Sequence, residues 1–214
     1  MTDWTVDVRV ASSWTRPDAK LVAQFAKYPV ANLGDAIGRL GIPDAGIVPI
    51  WPGARFVGLA LPILTVAGDN AAIIQALEHI RPGDVVVVNG FGHLGRALIG
   101  DNLAQRFAAF GAVGAVVDGC VRDRDIIAGL GFPVFARGVT PAGPFKNGPG
   151  VIGAPVAIGG VVCNPGDIVA ADGDGVIFIP PSRAEEVLNA AEAVAQREIA
   201  LDNEVAALYS TTAP

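Results

Sequence analysis

The chain of 214 residues has little of what most often marks a chemical centre: two histidines, His79 and His93, and two cysteines, Cys120 and Cys163. Two cysteines cannot make a disulfide framework, and without a Cys/His cluster a structural or catalytic zinc site is not expected. The simplest placement is the cytoplasm, with both thiols reduced. Charged residues are only 17% of the chain, the net charge is −6, and no run of Lys or Arg occurs. Nucleic acid is therefore not an expected partner, because phosphate binding needs clustered cations. The longest apolar run, Phe107 to Val117, is broken by Gly111 and Gly114. It falls short of the ~20 residues that span a bilayer, so no membrane association is expected. The opening MTDWTVDVRV carries acid early and does not read as a signal peptide. No G-x-S-x-G nucleophile elbow and no G-x-x-x-x-G-K-[ST] phosphate loop is present.

What the chain has in excess is apolar and small residues. Apolar types make up 51% and mean hydropathy is +0.47. That is ample material for a core, and the surplus suggests buried subunit contacts. Glycine, 27 residues, is about twice its usual share, so many tight turns are expected.

The pattern predicts one α/β domain over 1–214. Residues 17–40 read as two short helices and 41–53, with Pro43, Pro49 and Pro52, as a loop. Residues 55–67 read as a strand, and Asp69-Asn70 as the start of a helix running to about Ile80. Asp84 to Asn89 is continuously apolar, which marks a strand buried on both faces. Then come a glycine loop (90–95), a helix (about 102–110), a strand (112–118), a helix (about 123–130) and a strand (133–136). Residues 150–180 are punctuated by Gly-Gly, Asn-Pro-Gly and Asp-Gly turns, as in short antiparallel strands. A closing helix occupies about 181–208.

Four segments could carry chemistry. Gly90-Phe91-Gly92-His93-Leu94-Gly95 fits G-x-G-x-x-G after an apolar strand, with Asp118 23 residues beyond Gly95. Against a dinucleotide site, Gly100-Asp101-Asn102 interrupts the crossover helix, the second half of the chain turns to a β-meander, and some 80 residues precede the motif. A structural glycine turn is the favoured reading. Asp101 and Arg122-Asp123 both follow strands, at the edge where open α/β sheets bind ligands. As neighbours, Arg122 and Asp123 are expected to point apart. The bland alternative for them is a surface ion pair and an N-cap aspartate. Gly100-Asp101-Asn102-Leu103 offers the free N–H groups of a helix start, suited to a carboxylate or to plain capping. Asp172-Gly173-Asp174-Gly175 has too few oxygens for a calcium loop and reads as a hairpin turn.

The run Gly100-Asp101, then Gly111-x-x-Gly114-x-Val116-x-Asp118-Gly119-x-Val121-Arg122-Asp123, resembles the family of 4-hydroxy-4-methyl-2-oxoglutarate aldolases and the regulator of ribonuclease activity A. Twenty residues separate Asp101 from Arg122, the Asp-x20-Arg-Asp spacing of the aldolase branch. Asp35-Ala36, Gly68-Asp69-Asn70, Pro82-Gly83-Asp84-Val85, Pro133 to Gly138 and Pro165-Gly166-Asp167 agree with the family pattern, over about residues 17–205. The resemblance implies a swivelling β/β/α fold with a central mixed sheet flanked by helices. It implies a homotrimer or dimer of trimers, with the closing helix packing toward a neighbouring subunit.

The same resemblance implies Mg²⁺ or Mn²⁺ between subunits and a small keto-acid substrate. Asp123 would be the direct metal ligand. Asp101 would act on the metal through water, as would Glu198 (Glu192 in reserve) from the neighbouring subunit. Arg122 would meet the substrate keto oxygen. Gly100 and the N–H groups of Asn102 and Leu103 would take its carboxylate. Two positions depart from the pattern: Ile74, where the family often has histidine, and Asn102, where leucine is commoner. The ribonuclease-inhibiting branch typically lacks an acid at the Asp101 position, so Asp101 favours catalysis of pyruvate-enolate chemistry, by aldol cleavage or oxaloacetate decarboxylation. Protein-binding regulation is the alternative.

Overall fold

A computed structural model describes residues 7–11 and 13–211. The first six residues of the opening segment lie outside the described residues. In chain order the strands are β1 (Val8–Val10), β2 (Val48–Pro49), β3 (Phe56–Thr65), β4 (Asp84–Ile99), β5 (Gly114–Val121) and β6 (Val134–Val139). They continue with β7 (Gly150–Ile152), β8 (Val156–Ile158), β9 (Val161–Cys163), β10 (Ile168–Asp172) and β11 (Gly175–Ile179). The helices are α1 (Ala19–Gln24), α2 (Val30–Ala36), α3 (Ala71–Gln75), α4 (Asp101–Ala109), α5 (Arg124–Leu130) and α6 (Ala184–Thr211).

Strands β3, β4, β5 and β6 run parallel, side by side, at the centre of a mixed sheet. On its other side β3 pairs antiparallel with β10 through its first half and with β7 through its second. Strand β1 adds in parallel to β7, and β2 closes the far edge against β6. This is the mixed α/β architecture that the sequence predicts.

The apolar run of β4 explains the layering. Val86 and Val88 face one way, against α3, α4 and α5. Val85 and Val87 face the other, against the β8–β9 hairpin and one side of β10–β11. All four are fully buried, each contributing about 2 kcal/mol relative to exposure. The other side of β10–β11 (Ile168, Ala170, Ile177, Ile179) is covered by α1, α2 and α6. The strand pair is thus sandwiched between the central sheet and a second helical layer.

Two expectations change. Gly90 to Gly95 is neither a nucleotide loop nor a turn: β4 continues through it to Ile99 and stays paired with β5 through three shifts of register. Left-handed Phe91 and Gly92 (φ 60° and 64°) make the local distortion, and bulges of this kind bend a strand without ending it. Asp118, the would-be ribose ligand, is instead held by Arg137 and by the N–H of Gly159 at 2.9 Å. The Asp69-Asn70 helix is also shorter than expected: α3 ends at Gln75, and a 3-10 turn covers Ala76–His79.

Candidate functional site

The carboxyl ends of β4 and β5 lie side by side, and the chain leaves each straight into a helix. From β4, Gly100 caps α4; from β5, Arg122-Asp123 leads into α5. Asp123 takes the left-handed conformation, φ 58° and ψ 35°, which is uncommon outside glycine. This breaks the strand alternation that would have sent Arg122 and Asp123 apart. Instead Arg122 Nε donates to Asp123 Oδ2 at 3.2 Å. The expected divergence of the two side chains is corrected by that backbone turn.

Asp123 sits at the N-cap of α5 but its side chain caps nothing there. Its Oδ2 accepts instead from the N–H of Asp101 at 3.3 Å. One carboxylate oxygen thus joins the two strand ends, and no hydrogen bond among the described residues falls on Oδ1. Of the bland reading, the partly exposed ion pair is present and the side-chain capping bond of Asp123 is not. Arg122 and Asp123 remain partly exposed.

Gly100 is required by space, not by backbone angle, since its φ of −131° and ψ of −170° suit any residue. A β-carbon there would lie 2.5 Å from Asp123 Oδ2 and 3.0 Å from Arg122 Nε. The first turn of α4 has N–H groups with no intrahelical acceptor. That of Asp101 is used by Asp123, and those of Asn102 and Leu103 have no partner among the described residues. The first helical bond to Gly100 is made by Ala104 at 3.1 Å.

Beside this junction is a cavity of about 380 Å³. Gly100, Asp101, Asn102, Leu103 and Arg122 all line it, whereas Asp123 touches Asp101 and Arg122 without lining it. Three further residues were missed by sequence reasoning: Arg106 from α4, Lys146 from the 140s loop, and Asn70 at the start of α3. Arg106 lies four residues, about one helical turn, beyond Asn102, a spacing that could have revealed it. Lys146 carries no such signal. Asn70 Nδ2 donates to Leu98 O at 3.1 Å, while its Oδ1 is buried without a partner. Ile74, the departure from the family histidine, also lines the cavity.

Glu198 and Glu192 are not at this cavity within the chain. Asn32 Nδ2 donates to Glu198 Oε2 at 2.6 Å, and the Tyr28 hydroxyl donates to Glu192 Oε2 at 2.9 Å. That second bond raises the Tyr28 pKa, while hydrogen bonds from Gln196 and Tyr28 lower that of Glu192. Within the chain these bonds tie α6 to Asn32 of α2 and to Tyr28, just before α2. Among the described residues no group of three or more His, Cys, Asp or Glu side chains could hold a metal ion. Asp172 does form the expected hairpin turn, accepting from Asp174 N at 3.0 Å, and also accepts from Val30 N at 2.9 Å. No described helix is long and apolar enough to cross a membrane.

Comparison with known proteins gives a consistent answer. The RraA-like family, described as aldolase/RraA, matches residues 30–178. A protein of Halalkalibacterium halodurans, provisionally named 4-hydroxy-4-methyl-2-oxoglutarate aldolase, is 35% identical over 178 residues, covering 83% of this chain and 85% of the relative. Among solved structures, a Pseudomonas syringae protein superposes with a TM-score of 0.79 at 26% identity, covering 94% of this chain and 97% of that one. Streptomyces coelicolor RraAS2, described as an unusual member of the RNase ES inhibitor RraA family, superposes at 0.75 with 31% identity, over 94% and 100%.

Proposed function

This chain belongs to the RraA-like family, and from that premise we propose that it is a class II pyruvate aldolase dependent on a divalent metal. The substrate is a 4-hydroxy-2-oxo (di)acid such as 4-hydroxy-4-methyl-2-oxoglutarate, and oxaloacetate is decarboxylated at the same place. The observation that carries the reading is the junction of Asp101, Arg122 and Asp123 beside two free helix N–H groups on a cavity with three cationic side chains.

The residues fit a hard divalent cation. Asp123 keeps one carboxylate oxygen free of hydrogen-bond partners among the described residues, and its other oxygen accepts from the backbone N–H of Asp101. Mg²⁺ is commonly held by one or two carboxylates and otherwise by water, so the lack of a larger cluster suits it. When bound, Mg²⁺ or Mn²⁺ supplies positive charge that draws electrons toward the substrate keto oxygen.

The chain's own groups do the rest. The N–H groups of Asn102 and Leu103 hold the carboxylate next to the keto group at the positive end of α4. Arg122 opposes the negative charge that grows on the keto oxygen as the C–C bond breaks and pyruvate enolate leaves. Asp101 orders the water that accepts the 4-hydroxyl proton. Lys146 and Arg106 balance the distal carboxylate. The reading includes a homotrimer or dimer of trimers in which Glu198 of a neighbouring subunit, with Glu192 in reserve, reaches this cavity.

The test is pyruvate formation by the purified full chain from 4-hydroxy-4-methyl-2-oxoglutarate and from oxaloacetate. Release from either supports the proposal, and the ratio of rates ranks the substrates. A folded oligomer that releases pyruvate from neither would favour a second reading, regulation of a ribonuclease by protein binding, which the similarity to RraAS2 supports.

A further inference from the structure

Asp69 is a buried carboxylate outside the junction with no ion-pair partner among the described residues. Asp69 is 3% exposed, and its bonds all come from backbone amides. Oδ1 accepts from Ala71 N at 2.8 Å; Oδ2 accepts from Asn147 N and Gly148 N, both at 2.9 Å. A buried charge met by three N–H donors is a strong local anchor. It ties the start of α3 to a segment 78 residues further along.

That segment is a strap across the cavity. Its near end hangs on β4: Ala97 N donates to Ala142 O and Arg96 Nη1 to Gly143 O, both at 2.8 Å. Its far end is held by Asp69, and between them Phe145 N donates to Gly68 O and Asn70 N donates to Phe145 O. Pro144 and Lys146, between the anchors, line the cavity. Gly143 packs against Arg122, whose Nη1 would lie 3.0 Å from a β-carbon there.

We propose that Asp69 is a positioning residue of the active site: its carboxylate seats the 142–148 strap and thereby sets Lys146 at the substrate's distal carboxylate. The assignment rests on the function proposed above. It assigns Asp69 no contact with substrate; its effect passes through Lys146.

Two substitutions release the strap from opposite sides. Asp69→Asn exchanges one accepting oxygen for an NH₂ that faces amide donors. Gly148→Ala leaves the carboxylate intact but would place a methyl 2.9 Å from Asp69 Cγ, displacing the strap. Because Lys146 makes a charge-assisted contact, each substitution is expected to raise KM for oxaloacetate about tenfold or more and to change kcat less. The distinguishing readout is coupling. In a Lys146→Ala background, Asp69→Asn is expected to change KM less than twofold further, since the group it positions is gone.

Effects of Asp69→Asn and Lys146→Ala that multiply would overturn the assignment, as would an unchanged KM in both Asp69→Asn and Gly148→Ala. The two levels of the argument fail differently. A wild-type chain that releases no pyruvate refutes the proposed function. Calorimetric titration of the four proteins with 2-oxoglutarate, which keeps the distal carboxylate, and Mg²⁺ then gives the same cycle as binding constants. Non-additive constants support the strap assignment and additive ones refute it.

Discussion

Replacing Gly100 by alanine tests the geometry of the junction without changing any functional group. The backbone there is extended, so alanine incurs no conformational strain. The added methyl would lie 2.5 Å from Asp123 Oδ2, 3.0 Å from Arg122 Nε and 3.1 Å from Arg122 Cγ. A relaxed carbon–oxygen contact is about 3.3 Å, so the carboxylate must retreat by roughly 0.8 Å. A misplacement of this size costs on the order of 10²-fold in turnover. Stability should change far less. Arg122 and Asp123 are partly exposed and can swing outward, which places the overpacking cost near the lower end, about 1 kcal/mol. In a chain of this length that is a fall of roughly 2–4 °C in Tm. The assay is pyruvate release coupled to lactate dehydrogenase, with thermal unfolding alongside. Gly100→Ala with kcat/KM within twofold of wild type would refute the reasoning.

Gly129, within α5, has open space where a β-carbon would stand, so Gly129→Ala is expected to stabilise by ~0.4–1 kcal/mol in thermal unfolding and leave activity unchanged. Asp84 is fully buried; Arg16 and the N–H of Arg81 hold its carboxylate while burial pushes its pKa up. Arg16→Met strands that charge and should cost about 3 kcal/mol, and adding Asp84→Asn should recover most of the loss in urea unfolding. The guanidinium of Arg137 and the N–H of Gly46 hold the Asp44 carboxyl below the usual carboxylate range. A depressed folded value means that its stabilising contribution is full at neutral pH and is lost as pH falls through that folded value, below about 3.9. Tm measured from pH 6 to 2 should therefore fall less steeply in Asp44→Asn than in wild type.

The sequence made the central parallel strands legible because Asp84 to Asn89 must be covered on both faces. The turn-rich stretch from 150 to 180 likewise announced short antiparallel strands. It concealed the second half of β4. Gly90 to Gly95 has the composition of a loop, and only long-range pairing with β5, absorbed by bulges, keeps it in the sheet. The site divided in the same way. The positions of Asp101, Arg122 and Asp123 after two consecutive strands made them candidates, and the Asp-x20-Arg-Asp resemblance gave them roles. The left-handed turn at Asp123, which joins them, was not readable, because a single αL aspartate leaves no periodic trace. Lys146 and Asn70 reach the cavity from segments about 75 residues apart that meet through long-range hydrogen bonds of Gly68, Asp69 and Asn70.

The most direct test of the central claim is metal dependence of pyruvate release in EDTA-stripped protein, with Asp123→Asn measured in parallel. The account predicts no release without metal and recovery on adding Mg²⁺ or Mn²⁺ to wild type but not to Asp123→Asn. Release that ignores EDTA, or full activity in Asp123→Asn, would contradict it.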